Sequence, residues 1–205
     1  MKLSDFFELS FCINLEKRKD RLKDSLLEFD KLGYHPQIFK AVENENPIVG
    51  CLQSHLTIMK NALQLGKSVL IFEDDVSFIG NDYINTIECA LDELSTLKWD
   101  MFYLGANVLN YIYQKTDHLG RLSFAQSTHA YAVNINFIST LIKEIEKFDN
   151  HLDLLYAREI VPKHKCFITI PIVAVQRPSY SDIMYRDADY VGFTLERFNQ
   201  FLIRK

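Results

Sequence analysis

An uninterrupted apolar run at residues 69–72 constrains the fold of this chain more than any other segment. A strand that is apolar on both faces is typical of a parallel sheet, because helices cover such a sheet on both sides. The run leads directly into three acids, Glu73, Asp74 and Asp75. We therefore predict a buried strand over residues 68–72 that ends in an acidic cluster.

Strand and helix patterns alternate along the first half of the sequence, as they do in α/β proteins. Predicted strands cover residues 10–15, 37–41, 68–72 and 100–104, and predicted helices cover residues 16–32, 51–65 and 82–94. The second half suggests antiparallel pairing, through a hairpin within residues 111–124 and a strand at residues 130–133. A helix at 136–148, a strand at 167–170 and a terminal helix at 195–203 follow.

No internal repeat or Pro/Gly-rich linker divides the sequence, so we expect a single domain over residues 1–205. Its expected class is α/β, with a mostly parallel central sheet flanked by helices and an antiparallel portion in the second half. The net charge of −4 argues against a nucleic-acid partner, whose phosphates favour a basic face.

Location is predicted from what the sequence lacks. No apolar run approaches the roughly 20 residues that cross a bilayer, and the first residues do not resemble a signal peptide. The four cysteines are far apart and form no CxxC pair, which favours reduced thiols. We expect a cytoplasmic chain without a transmembrane segment.

The acidic cluster is the first candidate site, because ligands bind beyond the carboxyl ends of strands in open α/β sheets. Adjacent carboxylates raise each other's pKa unless a cation neutralises them, and carboxylate oxygens select hard ions such as Mn²⁺ or Mg²⁺. Side chains alternate along a strand, so Glu73 and Asp75 are expected on one side and Asp74 on the other. The alternative is a solvated acidic turn, which the preceding buried strand disfavours.

Seven short segments, in order, carry a resemblance to a known family. They are INLEKRKDR at 13–21, GCLQSH at 50–55, IFEDDV at 71–76, WDMFYLG at 99–105, THAYAV at 128–133, LDLL at 152–155, and a closing segment within 171–183 that contains Pro171, Gln176 and SDI at 181–183. Together they resemble glycosyltransferase family 25, which includes lipooligosaccharide galactosyltransferases and collagen galactosyltransferase domains.

This resemblance implies a GT-A-like fold and transfer of a hexose, galactose above all, from a uridine-diphosphate sugar with inversion. The acceptor would be a glycan or a protein hydroxyl, and lipopolysaccharide biosynthesis is one setting. Residues 1–105 would form the nucleotide-sugar-binding half and residues 106–205 the acceptor half. A metal held by Asp75, helped by Glu73 or Asp74 and reached by His129, would act as a Lewis acid on the diphosphate.

Inverting transfer also needs a general base near the acceptor hydroxyl, for which Asp153 is the first candidate and Asp182 the second. Residues expected to contact the sugar donor are Asn14, Arg18, Arg21, Ser54, His55, Glu73, Asp74 and Gln176. Arg18 and Arg21 share a helix face and suit a diphosphate, although a solvated charged face is the alternative.

Two other functions use the same residues. One is a non-catalytic sugar-nucleotide-binding domain that keeps the fold with an eroded acceptor site. The other is a nucleotidyltransferase or phosphatase that uses the same acids. The sequence lacks the GxxxxGK[ST] phosphate loop, and its acidic cluster lacks the nucleophile motif of haloacid-dehalogenase phosphatases, which disfavours the latter.

Overall fold

A computed structural model describes residues 1–203, and Arg204 and Lys205 of the predicted domain lie outside the described residues. Within residues 1–203, nine strands form a central sheet. Their spatial order is Leu202–Ile203 (β15), Ile112–Gln114 (β7), Leu119–Leu122 (β8), Cys166–Thr169 (β11), Met101–Tyr103 (β5), Ala130–Val133 (β10), Val69–Glu73 (β3), Leu9–Asn14 (β1) and Gln37–Lys40 (β2).

The pairings give the central sheet one dominant direction. Strand β1 pairs in parallel with β2 and β3, β5 with β11, and β7 with β15. Strands β8 and β10 run opposite to the other strands of the described sheet. The prediction of an α/β fold with a mostly parallel sheet, and with antiparallel strands from the second half, is therefore confirmed.

Helices cover both faces of this sheet. They are Leu3–Phe6 (α1), Lys19–Leu32 (α2), Pro47–Leu65 (α3), Tyr83–Ser95 (α4), Ile135–Ile145 (α5), Leu152–Leu155 (α6) and Val191–Phe201 (α7), with a π-helical turn at Tyr156–Ile160. Apolar residues of α3 and α5 pack on one face, and those of α2 and α4 pack on the other. None of the helices within residues 1–203 has the length and apolar character needed to span a bilayer.

In the described part of the chain, three short antiparallel pairs lie outside the central sheet and were not predicted. They are Val76–Phe78 (β4) with Ala174–Gln176 (β12), Asn107–Val108 (β6) with Ala125–Gln126 (β9), and Ser179–Ser181 (β13) with Arg186–Ala188 (β14). Strands of two or three residues carry too little periodicity to be recognised in a sequence. The predicted terminal helix at 195–203 is wrong at its end, because Leu202 and Ile203 pair with β7.

Strand β12 lies against the end of β5 only because residue 105 is glycine. The amides of Val173 and Ala174 both donate to the carbonyl oxygen of Leu104 at 3.1 Å. A Cβ atom on Gly105 would lie 1.9 Å from the carbonyl oxygen of Ala174 and 2.7 Å from Nε2 of His129. This close approach brings residues 174–182 to the acidic cluster.

We expect Gly105→Ala to lower the free energy of unfolding by about 1–3 kcal/mol, because backbone must move to admit the methyl group. Gly192→Ala is the matched control, since Gly192 lies in α7 and a Cβ there meets no heavy atom of the described residues within 4 Å. The control should be neutral or stabilising. Urea unfolding of both variants tests this, and equal stabilities would contradict it.

Candidate functional site

The acidic cluster lies at the carboxyl edge of the central sheet. Strand β3 ends at Glu73, which is in register with Ile13 of the parallel strand β1. Asp74 and Asp75 follow in a turn and are only 5% and 7% exposed. A cavity of about 380 Å³ adjoins them, and its lining includes Arg21, Cys51, Ser54, His55, Gln176 and Asp182. Most of the predicted site residues are thus brought to one place.

Asp74 is held by protein hydrogen-bond donors. Asn14 Nδ2 donates to its Oδ2 at 2.6 Å, and the Arg21 guanidinium donates to its Oδ1 at 2.8 Å. The Asp74 carbonyl oxygen accepts from Ser25 Oγ and from the Arg177 guanidinium. Burial raises the pKa of Asp74, although Arg21 and Asn14 oppose that effect. This carboxylate and Asn14 therefore form a structural junction, and the predicted contact of Asn14 with a nucleotide stays a prediction.

One carboxylate oxygen of Asp75 is buried and has no hydrogen-bond donor in the part of the chain that the structure describes. Its Oδ2 lies 3.3 Å from the Arg21 guanidinium, whereas its buried Oδ1 has no hydrogen-bond partner within the described residues. Burial and the charge of Glu73 raise the pKa of Asp75 to about 7, against the opposing charge of Arg21. A buried, unpaired carboxylate oxygen beside a cavity is what a hard divalent cation would satisfy. The residues therefore fit the predicted Mn²⁺ or Mg²⁺.

Glu73 is ionised more readily than its neighbours. Burial opposes its ionisation, but His55 and a hydrogen bond from Thr128 Oγ1 outweigh burial and lower the pKa of Glu73. His55 Nε2 lies 3.4 Å from Glu73 Oε1, and His55 Nδ1 lies 2.8 Å from the Tyr131 hydroxyl. Glu73 and Asp75 both line the cavity. Because the pKa of Glu73 is lowered and that of Asp75 is raised, Glu73 loses its proton before Asp75 does.

Among the described residues, His129 does not belong to the group of potential metal ligands whose donor atoms lie close together. Its Nε2 lies 3.4 Å from the carbonyl oxygen of Ala174, and burial lowers the pKa of its imidazole to about 4. In the described chain, the three ligand-type side chains whose donor atoms lie within 4.8 Å of one another are Cys51, His55 and Glu73. The role of His129 as a metal ligand stays a prediction.

Arg18 and Arg21 both reach the segment at residues 179–182. Arg18 Nη1 lies 2.5 Å from Asp182 Oδ2, and Arg21 Nη2 donates to Ser179 Oγ at 2.6 Å. Burial opposes ionisation of Asp182, but Arg18 and Lys17 hold the pKa of its carboxyl below its usual range. A carboxylate with a lowered pKa is a weak base, so Asp182 is poorly suited to the predicted catalytic role.

Asp153 lies at a second, larger cavity of about 640 Å³. Burial raises the pKa of its carboxyl, with a further contribution from the charge of Glu73 that His151 opposes. The wall of this cavity also contains Thr128, Tyr190 and Phe193. The pKa directions make Asp153 the stronger base of the two candidates, and its catalytic role stays a prediction.

The two cavities adjoin, because five residues line both: Cys51, Glu73, Gln176, Ser181 and Ile183. Gln176 Oε1 accepts a hydrogen bond from Ser127 Oγ at 3.3 Å. Ser54 is committed to the fold, since its Oγ donates to the Gly50 carbonyl and accepts from the Val42 amide. Its predicted contact with a sugar donor remains a prediction.

Sequence reasoning missed three contributors to the site. Arg177 braces the acidic turn through hydrogen bonds to the carbonyl oxygens of Asp74 and Asp75. Thr128 Oγ1 donates a hydrogen bond to the Glu73 carboxylate. Cys51 lies four residues before His55 on α3. Only the spacing of Cys51 and His55 was visible as a signal, because residues four apart share a helix face.

The raised pKa of Asp75 makes stability depend on pH. The pKa of an aspartate in the unfolded chain is about 3.9, whereas the pKa of Asp75 in the native state is about 7. Between these two pH values the native state therefore binds a proton that the unfolded state has lost. The contribution of Asp75 to the free energy of unfolding is therefore present at low pH and is lost as the pH rises towards 7.

In EDTA, we expect the stability of Asp75→Asn relative to wild type to increase by about 2–3 kcal/mol from about pH 5 to about pH 8. Urea unfolding measures this, and a constant difference would refute the assignment.

No protein-family model and no curated protein matches this sequence, so the resemblance to family 25 stays a prediction. Solved structures with a similar chain path include A197 from STIV, which aligns with 83% of this chain and 94% of its own at 12% identity and a TM-score of 0.44. A glycosyltransferase involved in glycosylation of the major capsid of PBCV-1 aligns with 78% of this chain and 80% of its own, at 11% sequence identity and a TM-score of 0.43. Apo-UDP-glucose pyrophosphorylase aligns with 94% of this chain and 81% of its own, at 10% sequence identity and a TM-score of 0.44. At this level of likeness, the neighbours' substrates say nothing about those of this chain.

Proposed function

We propose that this protein is a metal-dependent glycosyltransferase that moves a hexose from a uridine-diphosphate sugar to a hydroxyl acceptor with inversion. The observation that carries the proposal is Asp75, whose buried Oδ1 has no hydrogen-bond partner within residues 1–203 and lies beside a cavity at the carboxyl edge of the sheet. The ordered motifs that resemble glycosyltransferase family 25 support galactose as the hexose and a glycan as the acceptor.

The sugar donor is assigned to the cavity beside the acidic cluster. Its volume of about 380 Å³ lies within the range of small-molecule sites. Asp75 with Glu73 would hold Mn²⁺ or Mg²⁺, which supplies charge neutralisation for the leaving diphosphate. Arg21 keeps the carboxylates of Asp74 and Asp75 in place, through contacts at 2.8 and 3.3 Å.

The acceptor is assigned to the larger cavity, where Asp153 is the proposed general base. Its carboxylate would take the proton of the acceptor hydroxyl as that oxygen attacks the anomeric carbon. The raised pKa of Asp153 makes it a stronger base than Asp182. The rings of Tyr190 and Phe193 line the same cavity and suit the apolar face of a sugar. Because the cavities share Glu73, donor and acceptor would meet there.

We expect uridine-diphosphate sugars to raise the melting temperature by several degrees in Mn²⁺, since ligands that bind the native state stabilise it by mass action. Asp75→Ala should abolish the metal-dependent part of the rise. Asp149→Ala is the control, because Asp149 is exposed. Thermal unfolding across a panel of nucleotide sugars measures the effect. The proposal fails if no uridine-diphosphate sugar stabilises the wild type.

Asp153→Asn should lower transfer by about 10²–10⁴-fold, because it removes the proton acceptor. Stabilisation by the sugar donor should be unchanged, since Asp153 lines the other cavity. Transfer is followed by release of uridine diphosphate across a panel of glycan acceptors, with Asp149→Asn as the control. Full turnover by Asp153→Asn would remove it from the mechanism. Wild-type binding without turnover on any acceptor would instead favour a non-catalytic sugar-nucleotide-binding domain.

A further inference from the structure

Cys51, His55 and Glu73 form a second group of potential metal ligands, next to the acidic turn. One atom from each side chain lies within 4.8 Å of the other two. Cys51 and His55 are four residues apart on α3 and therefore share a helix face, which is turned towards the end of β3. We propose that these three residues form a binding site for a thiophilic divalent cation, Zn²⁺ in particular, distinct from the hard-ion site at Asp75.

The spacing of the histidine and the glutamate matches zinc coordination. Two ligands at about 2.0–2.1 Å from a tetrahedral zinc ion are about 3.4 Å apart. His55 Nε2 and Glu73 Oε1 are separated by 3.4 Å. The thiol of Cys51 completes a set of three protein ligands, which is the number found where zinc keeps one position for water or substrate. Cys51 and Glu73 line both cavities, so water or a substrate in either cavity would have access to an ion bound there.

The imidazole of His55 is oriented as a zinc ligand requires. Its ring is 1% exposed, and Nε2 has no hydrogen-bond partner among the described residues. Its Nδ1 lies 2.8 Å from the Tyr131 hydroxyl, which in turn lies 3.1 Å from the Tyr156 hydroxyl. An outer hydrogen bond of this kind fixes the ring and its tautomer in metal sites. Without an ion, a proton on Nε2 faces the Glu73 carboxylate and stabilises it. A bound cation would displace that proton, and Nδ1 would then donate to the Tyr131 hydroxyl while Nε2 acts as the ligand.

The ligand types set the selectivity of this site. Thiolate and imidazole ligands favour Zn²⁺, whereas carboxylate, carbonyl and water ligands favour Mg²⁺ and Mn²⁺. Asp75 offers only carboxylate oxygen to an ion, while the neighbouring set offers sulfur, nitrogen and one carboxylate. Glu73 belongs to both sets, so the two sites are adjacent but chemically different.

The test is titration of the full chain with Zn²⁺ against a chromogenic chelator, with Co²⁺ as a spectroscopic substitute. Wild type should bind one Zn²⁺, and bound Co²⁺ should show a thiolate-to-metal absorption band. Cys51→Ser should lose that band and weaken Zn²⁺ binding by more than about 100-fold, beyond what loss of an outer-shell partner costs. Cys89→Ser is the control, because Cys89 lies on α4. Urea unfolding of each variant establishes that it is folded.

Two further variants separate this site from the proposed catalytic ion. Tyr131→Phe keeps the ring but removes the hydroxyl beside His55, so Zn²⁺ affinity should fall by about 10–100-fold. Asp75→Asn should retain Zn²⁺ binding while losing the effect of Mn²⁺ on nucleotide-sugar binding. The inference is overturned if wild type binds no Zn²⁺, if Co²⁺ gives no thiolate band, or if Cys89→Ser loses as much affinity as Cys51→Ser.

Discussion

The ion pair between Arg21 and Asp74 is the contact on which the site depends. Asp74 is buried, and its carboxylate joins helix α2, through Arg21, to the end of strand β1, through Asn14. Loss of either partner would leave a buried charge unpaired, which costs far more than the pair itself contributes. The next residue, Asp75, is therefore fixed beside the cavity by a neighbour that is fully engaged with protein.

Three consecutive carboxylates have three different environments, because each meets different cations and hydrogen-bond donors. Asp74 is paired with Arg21 and Asn14, and Glu73 is stabilised by His55 and Thr128. Asp75 keeps an oxygen that has no hydrogen-bond partner among the described residues. The pKa of Glu73 is lowered while that of Asp75 is raised to about 7. Environment, rather than residue type, thus separates the structural role of Asp74 from the proposed ion-binding role of Asp75.

The central strands were predictable from the sequence because their apolar runs are continuous. The strand at 130–133 was predicted at its observed bounds, and β3 was displaced by one residue. The pair β4–β12 was not predictable because it joins distant parts of the chain, and the local pair β13–β14 was not because strands of three residues show too little periodicity. The same limit applies to the site. The position of the acids followed from the strand, whereas the contacts of Arg177 and Thr128 depend on tertiary packing.

The pairing of Leu202–Ile203 with β7 has a consequence for association between molecules. An open sheet edge exposes unpaired amide and carbonyl groups that can template a strand from another chain. Strand β15 covers β7 on that side, and the same backbone continues from α7, which carries Phe193 into the wall of the larger cavity. The described sheet therefore ends on this side in a two-residue edge strand, and the length of that edge is linked to the shape of the cavity wall through the same backbone.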